Sequence, residues 1–118
     1  MTRRIHRLRK RRLGGAWVLS LPSAFGAEVE EDLVPAAEGA FAAGATRIVL
    51  DFASVELASS AGIGAIVDLL RRARERNVPV VLAAVKGQPR VILDRVGFLA
   101  VVPSYDSVDQ ALEGGPAS

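Results

Sequence analysis

Two adjacent hydroxyls, Ser59 and Ser60, stand where a buried strand is predicted to give way to a helix. The strand is Ile48-Val-Leu-Asp-Phe, and the six-residue segment 53–58 separates it from the serines. The first N–H groups of a helix lack acceptors within the helix and create a positive local potential. A phosphoryl group added there would be held by that potential and would bring a charge of about −1.5 to −2 to the surface. The pattern therefore indicates a possible phosphorylation switch.

The same two serines also have a purely structural interpretation. Their hydroxyls would satisfy the first amides of the helix, while Gly62 and Gly64 would allow the helix to pack closely on a sheet. The two interpretations are compatible, because one hydroxyl can cap the helix until it is modified. The residues alone leave both open.

The sequence offers little support for an enzyme. A nucleophile elbow requires Gly-x-Ser-x-Gly, but the residue two positions before Ser60 is Ala58. His6 is the only histidine and cysteine is absent. The sequence therefore offers no histidine base after Ser60, no reactive thiol and no cluster of histidine and cysteine metal ligands. Gly62-Ile-Gly also lacks the Lys-Ser/Thr of a P-loop and the third glycine of a dinucleotide site. We predict no catalytic residue, no cofactor and no metal.

Length and composition predict one compact domain. The chain has 118 residues, of which 50% are hydrophobic, enough to form a core without metals or disulfides. No apolar run approaches the roughly 18 to 20 residues that span a bilayer, and the basic start lacks a following apolar signal segment. We therefore expect a cytoplasmic protein without a membrane partner.

Positive charge is concentrated at the start of the chain. Between Arg3 and Arg12 lie seven of the fifteen cations, which leaves eight cations against thirteen acids, a balance of about −5 for the remainder. Such an arm could be a solvated edge strand, a docking segment for an acidic protein or a nucleic-acid contact. Because no aromatic residues are interleaved to stack bases, the edge strand is favoured over a nucleic-acid contact.

The first half of the chain predicts a hairpin and a helix. Gly14-Gly15 predicts a two-residue hairpin between the basic strand and a strand at Trp17–Leu21. Apolar residues at helical spacing predict a helix from about residue 27 to 43. Within it, Pro35 is expected either to kink the helix or to delay its start.

The second half alternates strands and helices. A central strand is predicted from Thr46 to Phe52, followed after the serines by a helix whose apolar stripe includes Val67 and which Asn77 ends. The remaining predicted elements are a strand at 78–84, a helix from about Gln88, an edge strand at 99–102 and a final helix N-capped by Asp106.

This order of elements predicts an α/β fold. A mixed sheet of about four to five strands should carry its helices mainly on one face. The predicted domain spans residues 14–113. We expect a basic edge strand or arm at 1–13 before it and a disordered tail at 114–118 after it.

Four parts of the sequence, in this order, carry a family resemblance. They are the strand and loop that lead into Ser59-Ser60-Ala61-Gly62-Ile63-Gly64, then Arg71-Arg-Ala-Arg-Glu-Arg-Asn with Val80-Val-Leu, then Val91-Ile-Leu-Asp-Arg-Val-Gly-Phe, and finally Tyr105-Asp-Ser-Val-Asp-Gln-Ala-Leu. From about residue 16 to 112 the chain resembles the STAS domain, in particular the bacterial anti-sigma factor antagonists. Their motif is usually Asp-Ser-Ser-Gly-Leu-Gly, and the preceding loop has the same length here.

The resemblance implies a transcription regulator in bacterial stress signalling. In that family an anti-sigma factor, a serine kinase of the histidine-kinase-like type, phosphorylates the motif serine. The unphosphorylated domain binds the anti-sigma factor and frees a sigma factor; phosphorylation ends this binding and a serine phosphatase restores it. By position the acceptor is Ser60, with Ser59 as the alternative. The implied partner-binding residues are Phe25, Ser59, Ser60, Ala61, Gly62 and Ile63, with Phe25 a candidate for an exposed apolar contact.

The sequence departs from the family pattern in two places. Ser59 replaces the motif aspartate, and Pro22-Ser-Ala-Phe-Gly replaces the Gly-x-Leu-Asp that usually follows the first long strand. Ser59 retains the ability to cap a helix but supplies no negative charge. The competing interpretation is a STAS scaffold or assembly subunit that is never phosphorylated.

Overall fold

The computed structural model describes residues 8–114 of the chain. Its elements in chain order are β1 (Arg9–Leu13), β2 (Ala16–Ser20), β3 (Ala24–Phe25), α1 (Ala27–Ala42), β4 (Arg47–Asp51), β5 (Leu57–Ala58), α2 (Ser60–Glu75), β6 (Val80–Ala83), α3 (Gly87–Arg95), α4 (Phe98–Val101), β7 (Ser104–Tyr105) and α5 (Val108–Glu113).

The main sheet has five strands in the order β1-β2-β4-β6-β7. β1 pairs antiparallel with β2, whereas the other neighbours pair in parallel, so the sheet is mixed. A separate two-stranded parallel sheet joins β3 to β5. The predicted α/β fold with a mixed sheet is confirmed. β3 and β5 escaped prediction because two residues are too few to show an alternating pattern.

The hairpin at the start of the domain forms as predicted. Gly14 adopts a positive φ of 64°, a conformation that glycine enters without steric cost. All five residues of β1 are exposed, and the Arg12 guanidinium lies 6.0 Å from the centre of the Trp17 ring. Within residues 8–114, β1 is an edge strand of the main sheet. Residues 1–7 of the predicted arm 1–13 and residues 115–118 of the predicted tail 114–118 lie outside the described residues.

The larger core lies on one face of the sheet. It includes the fully buried Leu19, Ile48, Leu50 and Leu82 and the inward faces of α1, α2 and α3. The opposite face carries a smaller cluster of Val18, Val49 and Val81, packed against α5. β4 is therefore covered on both faces, which explains its continuous branched apolar sequence.

Ion pairs connect α2 to α1 at the surface. Glu38 accepts hydrogen bonds from Arg72 and Arg76, both at 2.8 Å, and Arg72 also contacts Asp68 at 3.2 Å. Partial desolvation raises the pKa of Asp68, but hydrogen bonds from Arg72 and Arg71 outweigh this effect, so the pKa lies below its ordinary value. The helix that begins at the serines is thus joined to α1 by charged contacts at the surface as well as by the shared core.

Three details differ from the sequence-based expectations. α1 begins at Ala27 and continues through Pro35, so the delayed start is wrong; the proline side chain lies on the exposed side. Residues 98–101 form α4 rather than an edge strand, and β7 takes the edge position instead. A four-residue apolar run does not distinguish helix from strand. The N-cap of α5 is Ser107, not Asp106, and its hydroxyl accepts from the Gln110 N–H at 3.1 Å.

Candidate functional site at the strand-to-helix corner

The segment between β4 and α2 is held by hydrogen bonds along its length. Asp51, the last residue of β4, accepts from the Ser20 hydroxyl at 3.1 Å and from the Ala53 N–H at 2.9 Å. Further along, the N–H groups of Glu56 and Leu57 both donate to the Ser23 carbonyl. The segment that leads from β4 to the serines is therefore held in one conformation by hydrogen bonds. We call residues 57–63, which form β5 and the first turn of α2, the corner.

Ser59 is the N-cap of α2. Its backbone is extended, with φ −107° and ψ 171°, and its hydroxyl accepts from the Gly62 N–H at 3.4 Å. The same hydroxyl donates to the Phe25 carbonyl at 3.4 Å, and the Ser59 N–H donates to that carbonyl at 3.0 Å. Ser59 therefore performs the capping role that the structural interpretation assigned to both serines.

Ser60 has a different environment from its neighbour. It is the first residue of α2 and, like Ser59, it is exposed, but within residues 8–114 its hydroxyl forms no hydrogen bond. The first turn of α2 contains no acidic residue, so the positive end of the helix is not neutralised locally. A change at this hydroxyl would therefore break no side-chain hydrogen bond of the described fold.

The residues after Ser60 turn inward. Ala61 is half-buried, whereas Gly62 and Ile63 are buried. A Cβ placed on Gly62 would lie 2.6 Å from the Phe25 carbonyl oxygen and 2.8 Å from its Cδ2, so only glycine fits without displacement. Of the predicted partner-binding residues, Gly62 and Ile63 thus lie mainly in the core.

The expectation of an exposed Phe25 is wrong. Its side chain is only 1% exposed and meets Phe52 edge-to-face with ring centres 6.1 Å apart. The pairing of β3 with β5 explains the difference, because it places Phe25 beneath the first turn of α2. Phe25 supports the corner from inside and is not available as a surface contact.

Two apolar side chains that sequence reasoning did not assign to the surface are exposed near Ser60. Leu57, at the start of β5, is 61% exposed. Val67, predicted in the core stripe of α2, is 49% exposed and lies two turns after Ser60 on the same side of the helix. Helical spacing could not place Val67, because it stands at the boundary of the apolar stripe.

Two side chains that follow β6, those of Lys86 and Gln88, form hydrogen bonds with the segment that leads into α2. Lys86 Nζ donates to the Ala53 carbonyl at 2.9 Å, and the Gln88 side chain makes two hydrogen bonds with the Ala58 backbone. Sequence reasoning missed both residues. A polar side chain near a helix start gives no indication of which distant loop it will reach.

The cations of β1 do not share one face. In an extended strand successive side chains alternate, so Lys10 and Arg12 point to one side of the sheet and Arg9 and Arg11 to the other. In the described part of the chain, no three acidic or histidine side chains are grouped so that they could hold a metal ion. Among residues 8–114, no helix has the length and apolar character needed to cross a membrane.

A family model for the STAS domain matches residues 7–111 of this chain. The chain belongs to the STAS domain family. Its matched region contains the whole main sheet, the corner and most of α5. A search of curated proteins finds no match.

Solved structures show the same STAS fold at low sequence identity. An anti-sigma-factor antagonist (STAS) domain protein from Planctomyces limnophilus is 19% identical, with a TM-score of 0.79 over 94% of this chain and 98% of that one. A sulfate transporter family protein from Wolinella succinogenes is 18% identical, with a TM-score of 0.78 over 86% and 85%. Bacillus SpoIIAA in its phosphorylated form is 15% identical, with a TM-score of 0.73 over 91% and 97%.

Replacing the cap at Ser59 should have a moderate effect on the stability of this STAS domain. Ser59→Ala removes the acceptor for the Gly62 N–H and should lower the free energy of unfolding by about 1 kcal/mol in urea denaturation. Ser59→Asp keeps an acceptor and adds negative charge at the positive helix end, but it loses the donor to the Phe25 carbonyl, so its stability should match wild type to within about 1 kcal/mol. Ser54→Ala, at an exposed loop serine, is the control and should change stability by less than about 0.5 kcal/mol.

Equal stability of the Ser59→Ala variant and wild type would show that the 3.4 Å contact with the Gly62 N–H contributes nothing. The comparison with Ser59→Asp also tests how serine differs from the aspartate usual at this position: in charge alone, or also in how well it caps the helix.

Proposed function

We propose that this STAS domain is an anti-sigma factor antagonist whose binding to an anti-sigma factor is switched off by phosphorylation of Ser60. The observation that carries this proposal is the difference between the two serines of the corner. The Ser59 hydroxyl caps α2, whereas the exposed Ser60 hydroxyl forms no hydrogen bond with the described residues. The similarity in fold to the phosphorylated form of SpoIIAA and to the Planctomyces antagonist supports this assignment.

The partner surface in this proposal is the exposed part of the corner together with the outer side of α2. The exposed Ser60 provides its polar centre, and Leu57, Val67 and the half-buried Ala61 provide apolar contact area. Gly62 and Ile63 contribute by holding the helix start close to the sheet. Exposed apolar residues around an accessible hydroxyl suit a protein partner, because both are covered when the partner binds.

Phosphorylation would oppose this binding for a physical reason. A phosphate at Ser60 brings a charge of about −1.5 to −2 into a surface that the partner must desolvate. The helix end stabilises that phosphate in the free protein, so burying it against the partner costs more than burying a hydroxyl. The proposed enzyme is the partner itself, an anti-sigma factor with a histidine-kinase-like serine kinase, and a serine phosphatase reverses the step.

This role is that of a cytoplasmic bacterial signalling protein that regulates transcription under stress and is not itself an enzyme. The active chemistry belongs to the kinase and the phosphatase. The chain contributes only the acceptor hydroxyl and the surface around it.

The experiment pairs this chain with the anti-sigma kinases encoded in its own genome. Each kinase is incubated with ATP and wild type, Ser60→Ala, Ser59→Ala or Ser54→Ala, and phosphate is located by mass spectrometry. We expect incorporation at Ser60 in every protein except Ser60→Ala. Calorimetric titration should show that Ser60→Glu weakens binding by about 100-fold, a cost of about 2.7 kcal/mol, whereas Ser60→Ala binds like wild type.

Phosphate that appears on Ser59, or on both serines equally, would overturn the assignment of the acceptor. Tight binding that Ser60→Glu leaves unchanged would show that the corner is not the docking surface.

A second candidate function is a STAS module that is never phosphorylated and serves in a larger assembly. The similarity to the sulfate transporter family protein and the replacement of the motif aspartate by Ser59 favour it. In the same experiment, this function predicts stable binding to a partner with no phosphate at either serine.

A further inference from the structure

β5 presents its backbone to two different partners. Leu57 and Ser59 face β3: their N–H groups donate to the carbonyls of Ser23 and Phe25, at 3.1 and 3.0 Å. The residue between them, Ala58, points its N–H and its carbonyl to the opposite side, because successive residues of a strand alternate in direction. Ala58 is only 5% exposed, so water has little access to these two groups. A second partner for β5 is therefore required.

Gln88 is that partner. Its Oε1 accepts from the Ala58 N–H at 2.9 Å, and its Nε2 donates to the Ala58 carbonyl at 3.1 Å. A carboxamide carries one acceptor and donors on the same planar group, so it reproduces the pair of hydrogen bonds that a neighbouring strand would make. Glutamate, alanine or leucine at this position could not provide both bonds at neutral pH.

The β6–α3 connection aims Gln88 at the corner. Ala84 has a φ of 60°, and Gly87, the first residue of α3, has a φ of 62°, so the chain changes direction after β6 and again at the start of α3. Between them, Lys86 binds the Ala53 carbonyl at 2.9 Å. Lys86 and Gln88 thus bind the segment before α2 near its two ends. The residue that Gln88 binds, Ala58, lies two positions before Ser60.

We propose that Gln88 is a positioning residue for Ser60: its carboxamide completes the hydrogen bonding of β5 and fixes the corner on which the Ser60 hydroxyl is presented. The fixed corner is a property of the chain itself, whereas its consequence for phosphorylation rests on the proposed function. Loss of the carboxamide frees Ala58 and loosens the Ser59 cap, so Ser60 is presented to a kinase in many orientations instead of one.

The test compares amide hydrogen exchange of the full chain by NMR in wild type, Gln88→Ala, Gln88→Glu and Gln110→Ala. Gln110 is the matched control, since its Oε1 also accepts a backbone N–H, that of Asp106 at 3.1 Å, in a different loop. In Gln88→Ala we expect protection at Ala58 to fall by about 10-fold or more. The N–H groups of Ser59 and Gly62 donate to Phe25 and Ser59 rather than to Gln88, yet their protection should fall with that of Ala58, while β4 and β6 keep theirs.

Gln88→Glu supplies a readout that a generally destabilised variant would not show. An ionised glutamate accepts from the Ala58 N–H but cannot donate to its carbonyl, whereas a protonated one can do both. Protection factors at Ala58 and Ser59, relative to wild type at each pH, should therefore recover as the pH falls through about 4.3. Loss at Ala58 alone, an equal loss throughout the core, or no recovery at low pH would each overturn the proposal.

The functional part uses any kinase found to phosphorylate Ser60. Gln88→Ala should lower kcat/KM by about 10-fold, with Gln110→Ala unchanged, and an unchanged rate would overturn the positioning role in catalysis by the kinase. If no kinase modifies the chain, the proposed function fails, but the exchange measurements still decide whether Gln88 fixes the corner.

Discussion

Phe25→Ala is expected to lower the free energy of unfolding by about 3–5 kcal/mol. The side chain is 1% exposed, packs edge-to-face on Phe52 and lies directly beneath Gly62. Alanine would leave a cavity that the rigid sheet on one side and the helix start on the other cannot close. Urea denaturation followed by circular dichroism measures the loss. The corner should also lose order, because Phe25 supplies its support from inside.

Leu57→Ala is the matched control for this prediction. Leu57 is an apolar residue on the adjacent strand β5, but it is 61% exposed. Its truncation should change stability by less than about 0.5 kcal/mol while weakening binding to an anti-sigma factor. The opposite result, a stable Phe25→Ala variant with reduced binding, would restore Phe25 to the partner surface.

Gly62→Ala should cause the second largest loss of stability, after Phe25→Ala. The added Cβ would lie 2.6 Å from the Phe25 carbonyl oxygen, which is backbone and also accepts from the Ser59 N–H. The cost of overpacking, about 1–3 kcal/mol, exceeds the gain of up to about 1 kcal/mol from replacing glycine in a helix. We expect a net loss of about 1–2 kcal/mol in thermal or urea unfolding.

Gly64→Ala provides an internal comparison in the same helix. A Cβ at Gly64 meets no atom within 4 Å, so only the helix-propensity gain remains. This variant should be more stable than wild type by up to about 1 kcal/mol. If both glycine variants changed stability in the same direction, the close approach of α2 to Phe25 would not be the reason for glycine at position 62.

These predictions separate the support of the corner from its exposed surface. Phe25, Gly62 and Ser59 hold the first turn of α2 in place, whereas Leu57 and Ser60 are exposed for a partner. Removal of the Phe25 ring, addition of a Cβ at Gly62 or removal of the Ser59 hydroxyl should reduce stability and binding together. Substitutions of Leu57 or Ser60 should affect binding or modification with little change in stability.

Much of the fold follows from local patterns in the chain. The branched apolar run at β4 predicts a central strand, Gly14-Gly15 predicts the hairpin, and the serines mark the start of α2. These features depend on the types of neighbouring residues, which the sequence states directly. The family resemblance from residue 16 to 112 is likewise carried by the order of motifs, and the family match over 7–111 confirms it.

Other features depend on which distant segments meet. The pairing of β3 with β5 buries Phe25, and no local pattern around this residue indicates that pairing. α4 replaces a predicted strand because four apolar residues fit either conformation until their neighbours are known.

The corner shows the division most clearly. Residue types and spacing alone were enough to place two hydroxyls at a helix start, since capping is a property of adjacent residues. Only the folded chain assigned the cap to Ser59, exposed Ser60 and brought Gln88, thirty residues away, onto Ala58. Backbone groups left unpaired by a short strand must be satisfied by whatever the tertiary packing brings near, and that choice is not encoded in any local pattern.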